Sequence, residues 1–176
     1  MKTVDMIADM LNLQADYDDI VCKTQGIDLY KINYEDFISA LMDELGELNH
    51  ELKSRWCWWK KTQEPENRDK VLEELVDVWH FVLMGTLMKC SHDPERANGF
   101  LRGVETAVER FEEFKETAIE NAIPANFMFQ YIMADSFQIG VVIMYLSYHC
   151  GFTLEEVYEA YKAKNKINIE RQRTGY

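Results

Sequence analysis

Apolar side chains recur three and four residues apart along almost the whole chain, and no β-type alternation of useful length interrupts them. A period of 3.6 restricts the fold to packed helices, because a half-buried strand needs a period of two. Ile7, Met10, Leu11, Gln14, Tyr17 and Val21 predict a first helix over 4–24, followed by a loop over 26–33. Asn33 is placed to cap a second helix from Tyr34 to about Lys61, with Phe37, Leu41, Leu45, Leu48 and Leu52 as its stripe. Pro65 marks the next break, and a third helix is expected from about Glu66 to Cys90. Asp93-Pro94 opens a fourth that carries Phe100, Leu101, Val104, Val108, Phe111 and Phe114. Pro124 marks another boundary, after which 127–150 reads as a long apolar helix closed by Gly151. Thr153 with Glu156 is a capping box for the last helix. The expectation is an all-α bundle of about six helices, one domain over 1–176, with no internal repeat.

Composition supports a packed core and narrows the function. The 176 residues are 47% hydrophobic, with only three prolines and eight glycines. Acidic residues outnumber basic ones 31 to 19, a net charge of -12 that argues against direct nucleic-acid or anionic-membrane binding. The longest apolar stretch, 81–88, falls far short of the ~20 residues of a membrane span. Asp5 and Asp9 break any signal-peptide pattern at the start. Cys22, Cys57, Cys90 and Cys150 include no CxxC pair, as expected of small hydrophobes in a reducing cytoplasm.

Acidic residues then occupy positions where a core stripe should run. The second helix carries Glu44-Leu45-Gly46-Glu47 and the third Glu74-Leu75-Val76-Asp77. Residues three apart share a helical face, so each pair points two carboxylates one way. The midpoint between the pairs falls near Lys60 and Lys61, so an antiparallel hairpin brings them to similar heights. Most helical acids lie on solvated faces. Here, however, Glu74, Asp77, Phe81, Met84 and Met88 form one 3-4-3-4 stripe, and Glu44 interrupts the stripe of Phe37, Leu41 and Leu48. Gly46 is expected to allow close approach beside the first pair. Four crowded carboxylates would repel one another unless cations neutralise them, and Mg²⁺, which shares its shell with phosphates, suits such oxygen ligands. Glu47-Leu48-Asn49-His50 and Asp77-Val78-Trp79-His80 are also acid-x-x-His pairs, the pattern of di-iron bundles, but two further glutamates are wanting. His92 and His149 read as ordinary hydrogen-bonding residues.

Two further features admit two readings each. Over 162–176 five basic residues face a single acid, Glu170, either as a solvated helix end or as a phosphate-binding tail that folds over an anionic substrate. Trp56-Cys57-Trp58-Trp59 is either core or interface, or a platform for a base.

Together these residues resemble the dimeric, all-α dUTPases, a branch of the MazG-like nucleotide pyrophosphohydrolases. The resemblance rests on ExxE as Glu44/Glu47, on ExxD as Glu74/Asp77 within the run from Glu73 to Phe81, and on an early Leu13-Gln14 pair. It rests above all on the ending Y-x-x-K-N-x-x-N-x-x-R-Q-x-x-G-Y, matched at every fixed position from Tyr161 to Tyr176. The resemblance implies that Glu44, Glu47, Glu74 and Asp77 bind Mg²⁺ with help from Asn168. It implies that Gln14 and Trp56 contact uracil, that His80 and Phe81 face the deoxyribose, and that Lys164, Arg171 and Tyr176 hold phosphates. It further implies a homodimer that hydrolyses dUTP, and also dUDP, to dUMP. On the chemistry of the parts, Glu44 is the expected acceptor of the attacking water's proton. The rival readings are a MazG-like pyrophosphatase acting on dCTP or another nucleotide, a module binding a regulatory protein, and a di-iron protein.

Overall fold

In the computed structural model, which describes residues 1–91, 93, 95, 96, 129, 130, 132 and 141–175, every regular element among the described residues is a helix. They are α1 (Thr3–Gln25), α2 (Tyr34–Glu51), the short α3 (Lys53–Trp56), α4 (Arg68–Lys89), α5 (Val141–His149) and α6 (Leu154–Thr174), with a 3₁₀ turn at Leu29–Lys31. The caps follow local chemistry. Asn33 Oδ1 accepts from the Glu35 amide, and Asn67 Oδ1 accepts from those of Asp69 and Lys70. Thr153 and Glu156 form the expected reciprocal box. Gly26, at φ 67°, closes α1 with its N–H on the Cys22 carbonyl, a left-handed turn that favours glycine.

The second helix is shorter than its apolar spacing predicts. It stops at Glu51 because Leu52 turns (φ -85°, ψ 9°) and buries its side chain, and Trp56 then folds back to donate its indole N–H to the Asn49 carbonyl at 2.9 Å. Trp58 and Trp59 therefore lie on exposed chain beyond α3. The next segment is held by charge. Arg55 donates twice to Glu66 at 2.7 Å and once to the His149 carbonyl, while Arg68 reaches the Gly151 carbonyl and Glu156.

Helix α4 is central, packed against α1, α2 and α6. The ring contact of Phe37 with Phe81, alongside the proximity of Glu44 to Glu74 and Asp77, makes α2 antiparallel to α4. Arg68–Glu156 and Asp77–Lys164 make α6 parallel to α4, and Asp9–Tyr158 with Leu13–Asn165 makes it parallel to α1. The shared core contains Met10, Leu11, Leu41, Leu48, Leu75, Val78, Trp79, Leu83 and Tyr161. On α1 the buried line runs through Gln14 to Asp18, not through Tyr17 and Val21 as the apolar spacing suggests, because Gln14 and Asp18 bond across one turn. All four cysteines are free thiols. No helix among the described residues is long and apolar enough to cross a membrane.

Asp93 caps the amides of Glu95 and Arg96, as the Asp-Pro start predicts. The stripe expected from Phe100 to Phe114, the boundary at Pro124, most of the apolar helix over 127–140, His92 and Tyr176 lie outside the described residues.

Candidate active site

Carboxylate oxygens of Glu44 from α2 and of Glu74 and Asp77 from α4 all lie within 4.8 Å of one another. All three side chains are half-buried, so like charge is crowded where water screens it weakly. Burial first, then Asp77, Glu47 and Glu74, pushes the Glu44 carboxyl up to about 7. Burial, with Glu47 and Asp77 beside it, raises Glu74 to about 7 as well. Asp77 is also raised by burial, against the lowering pull of Lys164. Lys164 Nζ donates to Asp77 Oδ2 at 2.8 Å and to Glu73 at 3.1 Å. An ammonium thus partly neutralises the group from α6. Glu73 is a participant that sequence reasoning missed.

Glu47 stands outside the tight trio. It is exposed, near enough to Glu74 to raise its pKa, and borders a cavity of about 490 Å³ that Gly46, His50, Glu51 and Glu74 also line. Gly46 does not serve close packing as expected, since a Cβ built there would meet nothing within 4 Å; the helix simply faces open space. Neither histidine of the acid-x-x-His pairs joins the carboxylates. His50 is exposed with Nε2 3.1 Å from Lys53 Nζ, and His80 is buried in a separate polar network.

That network joins three helices. Gln14 Nε2 donates to Asp18 Oδ1 at 2.7 Å, and Gln14 Oε1 accepts from Tyr161 OH at 2.7 Å and lies 2.8 Å from His80 Nδ1. The His80 ring stacks on Tyr161 at 4.2 Å between centroids. Burial holds the imidazole down at about 3, helped by the Lys164 charge, so His80 is neutral. Burial raises Asp18 to about 7 against the lowering bond from Gln14. Asp18 is a functional candidate that the sequence reading did not single out, and Tyr161 entered that reading only as the first position of the closing motif, without a role. The available signal was a polar pair, Gln14 and Asp18, one turn apart on the otherwise apolar face of α1.

The remaining expected residues are placed unevenly. Phe81 is half-buried one turn beyond Asp77, its ring 6.0 Å from that of Phe37. Lys164, Asn168 and Arg171 follow a 4-3 spacing and so share one face of α6. The tail is a continuous helix that runs straight past the acids, with Gln172 bonded to Thr24 and Gln25 of α1. Trp56 is two-fifths exposed, its indole N–H already committed to Asn49, so only its ring face and edge are available to a ligand.

Three convergent carboxylates suit a hard divalent cation with oxygen ligands, and the raised pKa values show how poorly the group tolerates its own charge without one. A family model described as dUTPase matches residues 6–176. Among curated proteins, none matches the chain.

Proposed function

The chain belongs to the dUTPase family, enzymes that hydrolyse dUTP, and from that premise we propose Mg²⁺-dependent conversion of dUTP, and of dUDP, to dUMP. The observation that carries the metal assignment is the convergence of Glu44, Glu74 and Asp77. These three would hold Mg²⁺, with Glu47 entering from its exposed position and Asn168 from α6. Bound there, Mg²⁺ supplies positive charge against the triphosphate and the negative charge that grows on it as the phosphoanhydride is cleaved.

The chain's own groups do the rest. Glu44, half-buried beside Glu74 and Asp77, is the group proposed to take the proton of the attacking water. Lys164 and Arg171, on one face of α6, offer phosphate oxygens a point charge and a planar fork. Lys164 would leave Asp77 or share it when phosphate arrives, because both ligands demand the same ammonium. Tyr176 is assigned to phosphate by the closing motif. Gln14 through its remaining amide hydrogen and Trp56 through its ring are assigned to uracil, and His80 and Phe81 to the deoxyribose. The covered length supports one catalytic domain over 1–176. As proposed, the enzyme is a cytoplasmic homodimer; exposed Trp58 and Ile167 offer apolar surface for a second copy. The net charge of -12 speaks against direct nucleic-acid partners.

The test is hydrolysis of dUTP, dUDP, dCTP, dTTP and UTP by purified protein with Mg²⁺. Preference for the deoxyuridine nucleotides with dUMP as product is expected. Faster turnover of dCTP would replace this reading with the pyrophosphatase alternative.

A further inference from the structure

His80 is neutral, and its two ring nitrogens are treated differently by the fold. Nδ1 faces Gln14 Oε1 at 2.8 Å. Nε2 is buried, in a side chain only 7% exposed, and no group among the described residues bonds it. Which nitrogen carries the proton is decided two residues away. Asp18 Oδ1 accepts from Gln14 Nε2, as either oxygen of a carboxylate or the carbonyl oxygen of a protonated carboxyl can, so the NH₂ end of Gln14 faces Asp18. The amide oxygen must then face Tyr161 and His80, and Tyr161 OH fills one of its lone pairs. The other lone pair requires a donor, which makes Nδ1 the protonated nitrogen and leaves Nε2 a bare acceptor. A buried acceptor left unmade is costly, so the site is built for a group that donates to it.

We infer that Asp18 and Tyr161 are positioning residues for nucleoside recognition: acting through Gln14, they hold His80 as the Nδ1–H tautomer, so that Nε2 accepts a hydrogen bond from the substrate's nucleoside. The inference rests on the proposed nucleotide-hydrolase reading. A deoxyuridine nucleotide has two donors, the sugar 3′-hydroxyl and the base N3–H, and either satisfies this chemistry. Cytosine has an acceptor at N3, so a contact with the base would also discriminate between uracil and cytosine.

The experiment follows the His80 ring by ¹⁵N NMR in the intact protein, free and with a non-hydrolysable α,β-imido dUTP and Mg²⁺. It is paired with kinetics on 3′-deoxy-dUTP and 3-methyl-dUTP. The free protein should show a protonated Nδ1 and a bare Nε2, and the Nε2 resonance should move towards its hydrogen-bonded position when the nucleotide binds. One analogue should lose at least about tenfold in kcat/KM, and which one it is identifies the donor. Tyr161→Phe should raise KM for dUTP about tenfold with a smaller change in kcat. Asp18→Asn should yield a mixture of His80 tautomers. A protonated Nε2 in the free wild type, or an Nε2 that ignores the nucleotide while dUTP is hydrolysed normally, overturns this inference alone. Failure to hydrolyse any of the nucleotides, with the Nδ1–H tautomer intact, overturns the functional reading instead. The wild-type spectra decide the question even if a variant fails to fold.

Discussion

A carboxyl group half removed from water and flanked by other carboxyls holds its proton to about pH 7, as Glu44 does. Neutralising it should therefore cost little structure and much chemistry. Glu44→Gln is expected to lose about 10²-fold or more in kcat, the usual loss with a general base. Its helical circular dichroism should persist, and its metal-free melting temperature should stay level or rise. A loss of helix in step with activity would mean that Glu44 is structural. Gly46 makes an opposite kind of prediction. A Cβ there meets nothing, so Gly46→Ala should gain roughly 0.5–1 kcal/mol of helix stability, read as a higher denaturant midpoint. Sequence spacing identified Gly46 as unusual and misread the reason, because the outward environment of a helix position is set by elements that spacing does not locate.

Helix α6 meets α4 through Lys164, whose bonds to Asp77 and Glu73 are charge-assisted. Lys164→Met should destabilise the metal-free protein by roughly 1–3 kcal/mol at pH 8, where Asp77 is left ionised and unpaired. The loss should shrink as the pH is lowered towards 5, because burial raises the Asp77 carboxyl and the variant lacks the Lys164 charge that lowers it, so the group takes up its proton more readily. Chemical denaturation at the two pH values measures both, and equal losses would show that the alkyl stem rather than the charge holds the helices together. At this scale the helices themselves were legible, since Asn33, Thr153 and Gly151 act locally and announce themselves in the sequence. The end of α2 was not. Nothing in its run of apolar and charged residues reveals that Leu52 turns inward and that Trp56 returns to the Asn49 carbonyl. Both events depend on packing against other elements.

Across the whole molecule the titrating groups make stability fall with pH. Glu44, Glu74 and Asp18 are each raised to about 7 in the folded chain, so between about pH 5 and 7 the native state binds more protons than the unfolded one. Stability must decrease as these protons leave. His80, lowered to about 3, works the other way, since the unfolded imidazole takes up a proton as pH falls below its usual value. Asp77, also raised by burial, adds to the first set, and His149, lowered by burial, to the second. Four raised carboxyls outweigh two lowered histidines, and the metal-free melting temperature is expected to decline from pH 5 to 7.5. Mg²⁺ should oppose the decline increasingly as pH rises, because its ligands must be deprotonated. A metal-free profile that climbs over this range would contradict the buried acidic site.

The acidic pairs made the convergence of Glu44, Glu74 and Asp77 readable from the chain alone. The network of Asp18, Gln14, His80 and Tyr161 was not, because it assembles residues from three helices whose relative rotation only the packed bundle determines. Catalysis as proposed depends on a cation held by carboxylates from both arms of the α2–α4 hairpin. Its most direct test is the rate of dUTP hydrolysis as a function of Mg²⁺ concentration for the wild type and Asp77→Asn. The expected result is no turnover without metal, saturation in the wild type, and a curve for Asp77→Asn displaced to much higher Mg²⁺ with most of the maximal rate lost. Near-normal turnover by Asp77→Asn at limiting Mg²⁺ would contradict it.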